Sequence, residues 1–499
     1  MTDEKDKKDK KQASLSATGI ARLAKARITL FHTPLREPFA SVWVKNHRET
    51  YSIKGPAFED WLSAMCYHEH GAVPSHKAIA EARSALAGDA LYDSTEKRVH
   101  VRLAGHDGAI YVDLANVSWE AVRITREGWE VVSHVPVMFV RAPGMQALPR
   151  PVDGGMIDDL RPILNLDSED HWKLIVSWLT GALRPEGHFP LLILEGTHGS
   201  AKSTAAKLLR ALIDPNTAPL RGQPTNARDL AVSAANSWCL AFDNLSSVRP
   251  WLSDALCRLS TGSGFSTRTL YTDGDERIFE GMRPVLLNGI DIGVERADLL
   301  DRAIVLCLTS IPEECRETDA KLWARFEAVR PSILGSLFDA VACALRRLPE
   351  TKLSKIPRMA DFATWVCAAE LALGWPEGSF LDAYRRNRLE ANSMALEASS
   401  LVHPVMRIAD RGGWQGTASE LQSTLREELL NSAPGEQAAC PNSPRELSQV
   451  LRRLAPNLRQ VGIIVEFSRT PGDNSERIIS IRRSSDGETK EPAEEFASE

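Results

Sequence analysis

LLILEGTHGSAKSTAAKLLRALID, residues 191–214, decides how the rest of the chain is read. Four consecutive apolar residues, Leu191 to Leu194, predict a buried strand, a turn follows from Gly196, and Ala205 onwards predicts a helix. A strand, a glycine-containing turn and a helix start gather backbone N–H groups and the positive end of the helix dipole around one point, which suits a phosphate. On this pattern Gly196, Gly199, Ser200, Ala201, Lys202, Ser203 and Thr204 are the expected nucleotide-binding residues. Lys202 is expected to neutralise the β- and γ-oxygens of ATP and Ser203 to ligate Mg²⁺. The string fits G-x(4)-G-K-[ST] with one departure, Ala201 in place of the second glycine. The extra methyl weakens the match without breaking it, since Gly199 supplies freedom nearby.

Three further stretches extend the core. NSWCLAFDNLS (236–246) predicts a strand ending in Asp243, a second Mg²⁺ anchor; Asn244 stands where many such ATPases carry a water-polarising glutamate, so Glu276 or Asp275 becomes the candidate base. RPVLLNGI (283–290) predicts a strand ending in Asn288, placed to touch the γ-phosphate or orient water. ERADLLDRAIVLCL (295–308) puts Arg296 and Arg302 before another apolar strand. In a ring assembly an arginine there reaches the ATP of the neighbouring subunit, Arg302 being preferred; the alternative pairs Arg302 with Asp298 or Asp301 of its own subunit.

Between the second and third strands, TGSGFSTRTLYTDGDE (261–276) brackets Arg268 and Tyr271 with glycine-containing turns, offering a phosphate contact and a stacking surface for DNA, with Arg258, Arg277 and Arg283 adding charge. The bland reading places Arg268 in a subunit interface.

Lysine-serine loop, aspartate strand, asparagine strand and following arginine, in this order, resemble the AAA+ ATPases and, more narrowly, superfamily 3 helicases and the helicase domains of viral, plasmid and prophage primase-helicases. The strings DNLS, LCRLSTG, STRTLYTD, DLLDRA and RMADFATW, starting at residues 243, 256, 266, 298 and 358, are similar to those of bacterial, prophage-like ATP-binding proteins. The resemblance spans roughly residues 95–400. It implies a ring-forming homo-oligomer, a hexamer, that translocates on single-stranded or forked DNA in mobile-element replication, with a separate primase as a further partner.

The flanks complete the expected fold, an α/β P-loop NTPase (AAA+-like) core with an N-terminal α+β domain, a helical lid and a C-terminal winged-helix domain. Residues 1–20 read as a disordered tail. Residues 21–150 form an N-terminal domain, mostly helical to about 95 and then an antiparallel meander over 98–141; PRPVDGGMIDDLRPILNL (149–166) is a hinge. The ATPase core occupies 151–310 and the helical lid 311–402, from which Arg358 is a candidate γ-phosphate sensor. Residues 403–483 read as helix, helix and hairpin, the order of a winged helix, with Arg445, Arg452, Arg453 and Arg459 on or near the recognition helix and Arg469 in the wing as DNA contacts. Residues 484–499 form an acidic disordered tail.

Composition sets the bounds. At 499 residues and 43% apolar, the chain is long enough for several cores, and its net charge of −6 excludes a generally basic DNA-coating protein. Eight scattered cysteines without a CxxC fit a reducing compartment, and Cys66, His68 and His70, two apart on a helical pattern, point in different directions rather than to a shared metal. No uninterrupted apolar run reaches about 18 residues, so a cytoplasmic protein without a membrane span is expected. Neither primase nor nuclease carboxylate groupings are visible. Two competing functions remain: an ATP-switched replication initiator or loader without processive unwinding, and a nucleotide-sensing scaffold in anti-phage defence.

Overall fold

The computed structural model describes residues 16–71, 73–262, 265–268, 276–279, 281–290, 292, 297–397, 399–430, 440–470 and 476–484, with the backbone alone for 265–268 and 276–279. At its centre lie four parallel strands in the order Leu240–Leu245, Val285–Gly289, Leu191–Gly196, Ala303–Leu308. Their continuous apolar character follows from burial on both faces. Alternate side chains divide between two cores: Leu192 and Leu194 join Trp172, Trp178 and Leu209 on one side, while Leu191 and Ile193 join Leu230, Leu252 and Leu256 on the other. A parallel bridge from Arg221 to Phe242 extends the sheet beyond its Leu240–Leu245 edge.

The opposite edge strand, Ala303–Leu308, is closed by the helix Ser379–Glu397. Buried Asn387 accepts a hydrogen bond from Val305 N–H at 3.1 Å and donates from Nδ2 to Val305 O at 2.5 Å, so a side-chain amide completes the backbone pairing that a missing fifth strand would make.

The meander forms as its alternation predicts: Leu103–His106, Ala109–Asp113, Ala121–Ile124 and Trp129–Val132 pair antiparallel in sequence order. Its apolar face is continuous with the first core, and buried Arg102 ties it there, donating from Nε to Asp214 at 3.0 Å and from Nη1 to Asp113 O at 2.9 Å. The Pro/Gly-rich segment 149–166 is docked rather than extended between units. Val152 N–H donates to Pro331 O at 3.0 Å, and Gly335 admits the chain so closely that a Cβ there would lie 1.9 Å from Val152 O. Ile157, Leu160 and Ile163 are then buried against the helix Asp319–Arg347. That 29-residue helix is long and apolar enough to cross a membrane, but most of its apolar window is buried inside the molecule, as in a core helix.

Two expectations need correction. Residues 28–52 are not helical: Ile28–His32, Pro38–Val44 and His47–Ser52 form an antiparallel sheet, with Thr95–Glu96 added parallel at the edge of Ile28–His32. Aromatic and β-branched alternation in ITLFH and PFASVWV, together with a two-residue turn at Lys45-Asn46, outweighs the helical pattern of the neighbouring Pro56–His70 and His76–Tyr92. The second concerns residues 403–483, expected as helix, helix and hairpin: Trp414–Thr417 is an additional strand, and the helix Ala418–Leu430 begins only after Thr417. Thr417 Oγ1 accepts from Glu420 N–H at 3.3 Å and Glu420 Oε2 from Thr417 N–H at 2.7 Å, a reciprocal cap. The C-terminal α/β module therefore runs Val402–Asp410, Trp414–Thr417, Ala418–Leu430, Pro444–Gln460, Ile463–Arg469, Arg477–Arg483, with sheet order 414–417, 477–483, 463–469 and a core of its own.

Candidate functional site

The loops at the carboxyl ends of three adjacent strands converge on one cleft. Gly196 (φ 148°) is required by proximity, since a Cβ would lie 2.3 Å from Leu308 O of the edge strand. Gly199 has φ 79°, and Ala201 itself takes φ 60°, ψ 26°, the left-handed conformation glycine supplies most easily. The helix Lys202–Ile213 starts immediately afterwards, so its first N–H groups face the loop. Lys202 Nζ lies folded into this loop, donating to Gly196 O at 2.6 Å, Thr197 O at 2.7 Å and Ser200 Oγ at 3.2 Å. Burial holds its pKa below the ordinary lysine value, with the nearby Asp243 pulling it up.

Across the cleft, Ser203 Oγ donates to Asp243 Oδ1 at 2.9 Å, bringing the two expected metal-binding groups into contact. Asp243 and Asn244 lie at a bulge where the pairing of Leu240–Leu245 with Val285–Gly289 shifts register. Asn244 has φ 57°, a conformation asparagine tolerates better than glutamate does, and its N–H donates to Asn288 Oδ1 at 3.1 Å. Asn288 is 1% exposed, and its buried Nδ2 has no partner among the described residues, which leaves a spare donor beside Asn244.

These groups fit a magnesium nucleotide. A left-handed turn before a helix start, a lysine, a hydroxyl touching a carboxylate and an orphaned amide donor are the kinds of group that would hold a phosphate and its metal. Among the described residues no group of three or more His, Cys, Asp or Glu could cage a metal. A magnesium ion here would take its other ligands from phosphate oxygens and water.

The other expected site residues lie elsewhere. Arg302 precedes Ala303, whose pairing partner is Leu191, so it sits at the amino end of the strands while Gly196 pairs with Leu308 at the carboxyl end. Its guanidinium donates to Asp298 O at 2.8 Å and to the Asp298 carboxylate. Arg358 bonds Asp298 at 3.0 Å and Asp301 at 3.5 Å, and Arg388 bonds Asp301 at 2.7 Å. Arg358 is thus beside Arg302, not beside the loop of its own subunit. Arg268 and Glu276 are paired residues of the hairpin Phe265–Arg268/Glu276–Phe279; their side chains, and Tyr271, Asp275 and Arg296, lie outside the described residues.

On the C-terminal module, Arg445, Arg452, Arg453 and Arg459 are exposed on the helix Pro444–Gln460, whose opposite face buries Leu447, Leu451, Leu454 and Leu458. Arg452 lies 4.0 Å from the Phe467 ring centroid, and Arg469 ends the next strand in an exposed position.

One segment the sequence reading passed over flanks the cleft. Asn165 Nδ2 donates to Ser200 O at 3.1 Å and Thr309 O at 2.7 Å, Ile311 N–H donates to Gly199 O at 3.0 Å, and the Thr197 and Ser310 hydroxyls are 2.7 Å apart. Residues 309–311 are thereby stitched along the outer side of the loop.

Residues 157–391 match the family described as actinomycete integrative conjugative element replication protein, and residues 400–494 match that protein's C-terminal domain family. No curated protein matches the chain. Among solved structures, the apo structure of NrS-1 C terminal region (305-718) aligns at 11% identity and TM-score 0.40, covering 92% of this chain and 97% of that one. The A form apo structure of NrS-1 C terminal region-CTR aligns at 12% identity and TM-score 0.40, covering 93% and 98%. Through the two family matches, which adjoin along most of the chain beyond residue 156, the protein falls in the general class of mobile-element replication proteins.

Proposed function

We propose that the chain is a Mg²⁺-dependent ATPase with an AAA+-like core and a C-terminal winged helix, acting as a ring-forming DNA helicase or translocase in mobile-element replication. The observation that carries the proposal is the meeting of Lys202, the Ser203–Asp243 pair and the buried Asn288 at the carboxyl ends of neighbouring parallel strands. The strand order 240–245, 285–289, 191–196, 303–308 supports the AAA+-like reading, and the module order helix, strand, helix, helix, strand, strand supports the winged helix.

ATP with its magnesium supplies the phosphoryl group that is transferred to water. The loop N–H groups hold the phosphates in place, and Lys202 leaves its carbonyl partners to neutralise their charge. Ser203 and Asp243 would hold the magnesium ion in place of their mutual hydrogen bond, and Asn288 would turn its Nδ2 donor toward the terminal phosphate or the attacking water. Lys202→Ala is expected to abolish turnover with the fold retained, since it removes charge neutralisation and no core volume. Asp243→Ala is expected to lose Mg²⁺-dependent turnover. Measuring ATP hydrolysis in purified wild type and both variants tests the assignment, and unchanged rates would overturn it.

A second reading, an ATP-switched initiator or loader, is favoured by Asn244, which supplies no carboxylate where water must be activated. Forked-DNA unwinding separates the two: ATP-dependent strand separation supports the motor, whereas DNA binding and assembly without it support the initiator.

A further inference from the structure

After the strand Ala303–Leu308, the chain is stitched to the loop at 309–311, turns at Pro312 and makes a short 3-10 turn, Glu313–Cys315. This turn brings Arg316 back onto the loop. A Cβ built on Gly199 would lie 3.3 Å from Arg316 Nη2, so the guanidinium covers the middle of the loop. Its orientation is set from within: Nε donates to Ile311 O at 3.2 Å, and the Arg316 backbone N–H donates to Glu313 O at 3.2 Å. Among the described residues the only carboxylate the terminal nitrogens approach is that of Glu313, at 3.9 Å, and the side chain is 53% exposed. An arginine held by Nε, half exposed and with one Nη against Gly199, presents beside the loop the planar fork that suits phosphate oxygens.

We propose that Arg316 is a further nucleotide-binding residue of this same subunit, supplying a second cation that grips the polyphosphate from the side of Gly199. The proposal rests on the ATP reading of the loop. It also explains why so exposed a turn is tied to the loop by the hydrogen bonds of Asn165, Ser310 and Ile311. Those contacts fix the distance at which the guanidinium stands over Gly199.

The test is calorimetric binding of ATP, inorganic tripolyphosphate and adenosine, each with Mg²⁺, to the full chain and to Arg316→Ala, Arg316→Lys and Lys202→Ala. A charge-assisted phosphate contact predicts that Arg316→Ala weakens ATP and tripolyphosphate by about tenfold or more, with Arg316→Lys between it and wild type. Adenosine binding should be unaffected. Nucleotide-free thermal unfolding of Arg316→Ala should match wild type, because the side chain is half exposed and anchors no core. If wild type binds ATP, Lys202→Ala loses it and Arg316→Ala binds as wild type does, the Arg316 assignment is overturned while the ATP site stands. Equal loss of ATP and adenosine affinity would overturn the phosphate assignment. Failure of wild type to bind either ATP or tripolyphosphate would overturn the ATP reading itself.

Discussion

At the scale of single residues, the cleft holds two side-chain-bearing residues in left-handed backbone, Ala201 at φ 60° and Asn244 at φ 57°. Asparagine adopts that region readily, whereas for alanine it costs roughly 1–2 kcal/mol. Ala201→Gly removes this strain, offset by roughly 0.5–1 kcal/mol of extra freedom in the unfolded chain. The expected outcome is a net stabilisation of about 0.5–1 kcal/mol, opposite in sign to Ala206→Gly, which removes a buried methyl from the helix interior. Denaturant unfolding followed by tryptophan fluorescence checks both, because Trp172 and Trp178 are buried in the same core as that helix. Stability falling equally in the two variants would contradict the account. The loop and Asp243 were legible in sequence because both depend on local order, an apolar strand followed at once by the group it presents. Arg316 was not, because only the pairing of Ala303–Leu308 beside Leu191–Gly196 brings residues 309–316 to the loop.

At the scale of elements, the helix Ser379–Glu397 links parts that sequence reading assigned separately. Asn387 caps the sheet edge at Val305, Arg388 holds Asp301, Arg386 bonds Asp170 at 2.6 and 2.9 Å, and Asn392 donates to Asn457 O of the helix Pro444–Gln460 at 3.2 Å. The candidate DNA-reading helix is thus packed on the core, with its arginines on the remaining face. Replacing Arg452 and Arg453 together by alanine is expected to weaken duplex binding and lower the log–log salt slope by roughly one unit per lost phosphate contact, leaving basal ATP turnover intact. Because Arg452 also lies over Phe467, the variant should lose in addition about 0.5–1 kcal/mol of module stability. Duplex titrations across a salt series, with thermal unfolding alongside, check the two effects; an unchanged slope would remove these arginines from the DNA interface. The period of this helix was readable from its leucines. The strand Trp414–Thr417 was not, since four residues containing a glycine carry little alternation and its partner Arg477–Arg483 lies far along the chain.

At the scale of the whole molecule, apolar runs identified the four central strands, but their neighbours were hidden, since pairing order depends on contacts between distant segments. That order determines where Arg302 stands. Lys202 follows the carboxyl end of Leu191–Gly196 and Arg302 precedes Ala303, the partner of Leu191, so about five strand residues, roughly 16 Å, separate the two ends. An Arg302 that serves a phosphate loop must therefore serve that of another copy, after leaving Asp298, its partner within this chain. Arg302→Ala is then expected to bind ATP but hydrolyse it poorly. Mixed with Lys202→Ala, it should regain activity, because a subunit with an intact lysine can adjoin one with an intact arginine. For random equal mixing in a head-to-tail ring, roughly one quarter of the interfaces are intact, so turnover should rise from near zero in either pure variant to a maximum near the equal mixture. ATP turnover across mixing ratios, with oligomer size followed by light scattering with and without single-stranded DNA, makes the measurement. No recovery at any ratio in mixtures that demonstrably co-assemble would leave Arg302 to its pairing with Asp298.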